Sequence, residues 1–213
     1  MNRPRILLAD DHRIVVEGLR SLLAGEFDLV DVAEDGRAMI AAALRLRPDL
    51  IVADIAMPRL NGIEAFMQLR REMPRVKVIF LTMHHEIAYA RRAMEAGASG
   101  FVLKNAAPAE LVTAIRTALG GNVYITPSLT GELLYAMLSG PQTTAEPMAA
   151  LTPRQREILQ LLAEGRSAKE IAGALNISAR TVEFHKYQMM NVLSLHNSTE
   201  LILFGIKHHL IAV

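Results

Sequence analysis

Between residues 5 and 104 the chain alternates short apolar runs with longer stretches in which apolar residues recur every three or four positions. The runs are RILLA, LVDVA, LIVAD, VKVIFLT and GFVLK, each of strand length. HRIVVEGLRSLLAG, GRAMIAAALRLR, GIEAFMQLRREM and EIAYARRAMEAG lie between them, and PAELVTAIRTALGG follows the last. A run apolar throughout suits a strand buried on both faces, and amphipathic helices between such strands provide the cover. The pattern predicts an α/β unit: a doubly wound five-stranded parallel sheet with helices on both faces. Gly25, Gly97 and Gly120 fall where three of the helices should stop.

From about residue 122 the periodicity weakens. PSLTGELLYAMLS carries the pattern of one more helix, whereas GPQTTAEPMAA has the composition of a flexible linker. Four short helical patterns then fill the remainder. Thr152, Pro153 and Gln155 spell a helix start with a capping box, and Ser167 with Glu170 repeats the device. SAKEIAGALN, the short turn NI and SARTVEFHKYQMMNVL have the lengths of a helix-turn-helix, with Ala172 and Ile177 where the turn needs close packing. STELILFGIKHHLI closes the chain. The expected division is a first domain over 1–121, a partly helical linker over 122–150, and a small all-α four-helix domain over 151–213.

Composition narrows the classes. With 51% hydrophobic and 21% charged residues the chain reads as soluble and globular. No apolar run approaches the roughly 18 residues of a membrane span, and the first residues have no secretory leader pattern. The absence of cysteine excludes disulfides, thiolate metal sites and a cysteine nucleophile, and fits a cytoplasmic location. A formal charge of +1 excludes a uniformly basic coat, so any nucleic-acid binding must use a local surface. His185, His196, His208 and His209 make the last stretch more basic when protonated, although the final pair reads first as an ordinary helix end.

The chemistry gathers at strand ends. Ligands of such a sheet bind outside the carboxyl ends of its strands, where the strand order reverses. Asp10 and Asp11 follow the first run, Asp54 ends the third, Thr82 the fourth and Lys104 the fifth, so all five should face one crevice. Crowded carboxylates raise one another's pKa unless a cation relieves them, and a hard oxygen cluster suits Mg²⁺. The backbone carbonyl of Ala56 is a further expected ligand. A lysine and a hydroxyl beside the metal are what a transferred phosphoryl group needs for its oxygens, with Asp54 as the nucleophile. Single acids at strand ends are more often caps or solvated loop residues. That reading is taken for Asp35 and Asp49 and stays open for Asp11.

With LLADDH, IVADIAMPRLNGIE, FLTMHH and ASGFVLKNA in this order, residues 3 to about 120 resemble the flavodoxin-like CheY-like receiver domain of two-component response regulators. The resemblance implies Mg²⁺ on Asp10 and Asp11, phosphorylation of Asp54, a grip on the phosphoryl group by Thr82 and Lys104, and an inward turn of Phe101 on activation. Phe101 lacks the hydroxyl of the tyrosine often found there. Met83 stands where the family usually carries a smaller residue, which should crowd the phosphoryl pocket.

LTPRQREIL, GRSAKEIAGAL, TVEFHK and HHLI make residues 151–213 resemble the LuxR-type DNA-binding domain, and the whole chain a NarL/FixJ-type response regulator. The resemblance places Glu183, Phe184 and Tyr187 nearest the bases and Arg180, Thr181 and Lys186 near phosphates. Phe184 and Tyr187 have an alternative reading as packed residues, whereas Val182, Met189 and Leu193 read as core. Gln155, Ala168, Asn191, Val192 and Ser198 depart from the family's usual residues. With few cations in the recognition helix, one module should bind weakly, so a homodimer on a paired site is expected, joined through the last helix, 199–209. Its stripe of Leu201, Phe204 and Ile206 reads partly as core.

The implied function is a phosphorylation-gated transcription regulator, not an enzyme, whose partners are a sensor histidine kinase and double-stranded DNA, with no membrane contact. Two rivals differ in class. An aspartyl-phosphate hydrolase would use the same nucleophile, but there is no cap domain and Ala56 stands where its second acid would be. A regulator with an atypical receiver would bind DNA independently of phosphorylation.

Overall fold

The computed structural model describes residues 3–83, 87–105, 108–138, 147–208 and 210. His209, and residues 139–146 of the expected linker, lie outside the described residues. Among the described residues no helix is long and apolar enough to cross a membrane. The chain divides into two compact units.

The first unit runs β1 (Arg5–Ala9), α1 (Arg13–Leu23), β2 (Asp28–Ala33), α2 (Gly36–Leu46), β3 (Leu50–Ala53), α3 (Gly62–Glu72), β4 (Lys77–Thr82), α4 (Ile87–Glu95), β5 (Gly100–Leu103), α5 (Pro108–Leu119), β6 (Tyr124–Ile125) and α6 (Pro127–Leu138). Its strands are all parallel and lie in the order β2-β1-β3-β4-β5-β6. The order reverses between β1 and β3, the switch point of this topology. Along each strand successive side chains serve opposite faces. Ile6, Leu8, Val52, Leu81 and Val102 join Leu23 of α1 and Leu111 and Ile115 of α5 in one cluster. On the other face Phe80 meets Phe66 of α3 edge to face, with ring centroids 5.9 Å apart. Each such side chain contributes about 2 kcal/mol on burial, so a continuous apolar run is what both faces require.

Six strands form where five were expected. β6 is two residues long, too short to show a period of its own, and tertiary pairing defines it: Tyr124 and Ile125 register with Gly100 and Phe101. Thr126 completes the join, donating its N–H to the Phe101 carbonyl at 3.0 Å and accepting the Leu103 N–H on its hydroxyl at 3.2 Å. The helix expected from PSLTGELLYAMLS is α6, which packs against α4 inside this unit.

The second unit contains a short 3₁₀ turn (Pro147–Ala150) and four helices, α7 (Pro153–Ala163), α8 (Ala168–Leu175), α9 (Ala179–Leu193) and α10 (Ser198–Lys207). Ile158, Leu162, Ile171, Leu175, Val182, Met189 and Leu201 form its core. Both predicted capping boxes are present, Thr152 with Gln155 and Ser167 with Glu170. Between α8 and α9 the chain turns on Asn176, whose φ of 52° is a left-handed conformation asparagine tolerates. Ile177 donates its N–H to the Ala172 carbonyl at 3.0 Å, and Ser178 then caps α9 by accepting from Thr181 N–H at 3.0 Å.

The second capping box titrates. The hydroxyl and backbone N–H of Ser167 donate to the Glu170 carboxylate at 2.7 and 2.8 Å and hold its pKa below the ordinary value of 4.5. A carboxylate with a lowered pKa stabilises the fold above its unfolded value, and the contribution is lost as pH falls through the folded one. Glu170→Gln should therefore lower the melting temperature at pH 7 and match the parent once the medium is acidic enough to protonate Glu170. Melts across that range check it.

Candidate functional site

β1 and β3 are paired so that Ala9 registers with Ala53, and the Asp54 N–H continues the ladder to the Ala9 carbonyl at 2.7 Å. The next residue on each strand is an aspartate, which brings Asp10 and Asp54 side by side, only 3% and 4% exposed. On the neighbouring pair Thr82, fully buried, registers with Leu103, and the Lys104 N–H donates to the Thr82 carbonyl at 2.8 Å. The lysine therefore leaves the sheet facing the acids, and its Nζ lies 2.7 Å from both Asp10 Oδ2 and Asp54 Oδ2. Asp54 Oδ1 accepts the Ile55 N–H at 2.7 Å.

One cation shared by two buried carboxylates has unequal effects on its partners. Burial raises the pKa of Asp54 above the ordinary 3.8, and the Coulombic pull and hydrogen bond of Lys104 offset this only in part. For Lys104 burial acts against the ammonium, but the charges and hydrogen bonds of both aspartates outweigh it and raise its pKa above 10.5.

Asp11 sits at the rim. Its Oδ1 is buried and has the His12 ring as its neighbour. The residue beside it, His12, was missed in the sequence. It is the N-cap residue of α1, and its Nδ1 lies 3.0 Å from Asp11 Oδ1 and 3.2 Å from Asp10 Oδ1. One donor atom from each of Asp10, Asp11, His12 and Asp54 falls within 4.8 Å of the others. The oxygens of the three carboxylates fit a hard divalent cation such as Mg²⁺, with Ala56 in the same buried loop, whereas the His12 imidazole is a donor that suits softer metals and flanks the acids instead.

That loop leads into α3, whose first residue stands against the backbone of Asp54: a Cβ at Gly62 would lie 2.1 Å from the Asp54 carbonyl oxygen. Asn61 caps α3 by accepting from Glu64 N–H at 3.0 Å, and the buried Glu64 carboxylate is paired with Arg92 of α4. Asp35 takes the cap role expected of it, accepting from Arg37 and Ala38 N–H at the start of α2. Asp49 accepts the Arg5 N–H at 2.7 Å.

In the second unit Val182 and Met189 are fully buried on α9, and Leu193 packs at the edge of the core. Phe184 and Tyr187 are not packed: they are 56% and 63% exposed. Arg180 is exposed at the start of the helix. Thr181 shares a hydroxyl hydrogen bond with Ser178 at 2.8 Å, and Lys186 Nζ lies 3.1 Å from each carboxylate oxygen of Glu183. On α10 Leu201 is core and Phe204 and Ile206 are half-buried, while Leu203, outside the expected stripe, is exposed.

Comparison with known proteins joins the two units. The response regulator receiver domain family matches residues 6–116, and the LuxR family of bacterial regulatory proteins matches residues 149–204. The response regulator UvrY of Escherichia coli is 33% identical over 207 residues, 96% of this chain and 94% of its own. The response regulator protein VraR of Staphylococcus aureus is 34% identical over 209 residues, 97% of this chain and 98% of its own. The chain is a response regulator of the NarL/FixJ type. Among solved structures, RcsB of Salmonella enterica serovar Typhimurium, bound to promoter DNA in the presence of a phosphomimetic, matches with a TM-score of 0.65 and 28% identity over 97% of this chain and all of its own.

Two receiver positions differ from expectation or refine it. Met83, expected to crowd the phosphoryl pocket, is 65% exposed and lines, together with Lys104, Ile14, Leu22 and Leu111, an apolar groove between α1 and α5. Phe101 is fully buried. It registers with Phe80 on one side and Ile125 on the other, so β6 supplies an apolar neighbour that a five-stranded receiver would lack.

Proposed function

We propose that this response regulator accepts a phosphoryl group on Asp54 from a sensor histidine kinase in the cytoplasm, and that the modification gates binding of double-stranded DNA by α9 in a homodimer. The observation that carries the reading is the pair of 2.7 Å contacts from Lys104 to Asp10 and Asp54, which aim a rigid carboxylate and a cation at one point. An Asp54 oxygen attacks the phosphorus of the donor, the bond from phosphorus to the leaving group breaks, and the leaving group keeps the electron pair. Lys104 and the Thr82 hydroxyl then take the new phosphoryl oxygens. Mg²⁺, held by Asp10, Asp11, Asp54 and the Ala56 carbonyl, would neutralise charge as the donor approaches. The chain has no enzymatic role beyond slow loss of its own phosphoryl group.

On the DNA side Arg180, Thr181 and Lys186 serve phosphates and Glu183, Phe184 and Tyr187 face the bases. The neighbour described as two RcsB dimers on parallel DNAs supports the dimeric form. The test is the intact mass of wild type and Asp54→Ala after incubation with Mg²⁺ and acetyl phosphate, alongside size-exclusion mass and binding to a pool of genomic DNA fragments. We expect one phosphoryl group on wild type alone, a shift to dimer and tighter binding. Unmodified wild type that binds DNA as well as treated protein would overturn the gating and favour a phosphorylation-independent regulator.

A further inference from the structure

The middle of α9 presents an apolar surface to solvent. Phe184 and Tyr187 stand one turn apart on one helix face, 56% and 63% exposed, and residues three apart on a helix are neighbours. Exposed apolar side chains are ordinary when single, but two adjacent large rings mark a contact surface. The polar groups beside them pair with one another or with the helix cap in the free protein. Both carboxylate oxygens of Glu183 lie 3.1 Å from Lys186 Nζ, a surface pair weak enough for the lysine to turn to a phosphate, and the two rings are the apolar part of this face. The Thr181 hydroxyl is bonded to Ser178 in the cap of the helix. Arg180 is exposed one turn before Phe184, where a cation serves a phosphate.

In the major groove the base edges offer hydrogen-bonding groups at every pair and one apolar group, the C5-methyl of thymine. We propose that Phe184 and Tyr187 recognise thymine methyl groups, so that the preferred duplex is defined by thymines at fixed positions in each half-site rather than by guanine acceptors. This rests on the reading that α9 enters the major groove. It names what α9 seeks there. A ring laid over a methyl removes both from water, so the discrimination is hydrophobic and insensitive to salt, while affinity as a whole remains salt-dependent through the phosphates.

The experiment uses the full chain with Mg²⁺ and acetyl phosphate. Duplexes are selected from a random pool, and each thymine in the selected site is then replaced in turn by deoxyuridine, which deletes the methyl and keeps every hydrogen-bonding group. We expect selected sites to share thymines, deoxyuridine at one or two of them to weaken wild type about three- to fivefold, the factor for one buried methyl, and Phe184→Ala or Tyr187→Ala to lose that sensitivity. Both side chains are largely exposed, so the variants should melt with the parent. Unchanged binding at every deoxyuridine, with a sequence still selected, would overturn the thymine readout and leave the regulator reading intact. Failure to bind any duplex would sink both.

Discussion

Lys104→Met should destabilise the receiver by about 3 kcal/mol or more at neutral pH, the typical cost of removing one partner from a buried ionic cluster. The variant keeps an unbranched apolar stem and removes the ammonium, leaving Asp10 and Asp54 buried beside each other with no cation. Asp54 already carries a raised pKa with Lys104 in place, and losing the Coulombic pull and hydrogen bond of the lysine raises it further. A carboxylate whose folded pKa is raised takes up its proton in the native state first, so stability rises as pH falls toward the carboxylate range. The deficit should therefore shrink in mild acid. It should also shrink with added Mg²⁺, because carboxylates freed from the competing ammonium bind the cation more tightly than those of the parent, and the folded variant gains more from it. Denaturant titrations at two pH values, with and without Mg²⁺, check all three statements. A deficit independent of both would mean that the loss is one of packing.

The second large effect comes from a single methyl group. Gly62→Ala should cost about 3 kcal/mol and abolish phosphoryl uptake by Asp54. The φ at Gly62 is not the difficulty, since it begins an ordinary α-helix capped by Asn61. The obstacle is the Asp54 carbonyl oxygen at 2.1 Å, with the ring of Phe80 at 3.3 Å beyond it. Backbone cannot rotate aside as a flexible side chain can, so either α3 retreats or the end of β3 moves, and each breaks packing on a fully buried face. Chemical denaturation gives the cost, and intact mass after acetyl phosphate treatment gives the uptake. Gly131→Ala, on α6 where nothing stands within 4 Å of the added Cβ, is the control that should keep both.

The strand ends were legible because burial and register act together. A run such as Leu50–Ala53 has no choice of face, so the residue that follows it is fixed in space, and the meeting of Asp10, Asp54 and Lys104 could be expected by counting. The capping boxes were legible for the same local reason: two residues three apart satisfy each other without help from the rest of the fold. His12 was not, because its position depends on how α1 leaves the sheet, although an imidazole directly after two aspartates was the available signal. β6 was not, because two residues hold no period and the strand exists only through its partner. The place of Met83 was also hidden: its side chain follows the groove between α1 and α5, and sequence gives no direction for a residue just past a strand.

The short sixth strand has a consequence for behaviour at high concentration. An open sheet ends in two rows of unpaired backbone groups, and a long flat border invites another chain to add itself. Here one border is β6, two residues long and followed at once by a helix, so no second chain finds enough register to hold. The opposite border, β2, carries Asp28 and Asp31, and its pairing with β1 shifts register between Ile6 and Leu7. A truncated border on one side and a charged, irregular one on the other leave the receiver guarded against edge-to-edge aggregation, so that its association can be left to surfaces chosen for it.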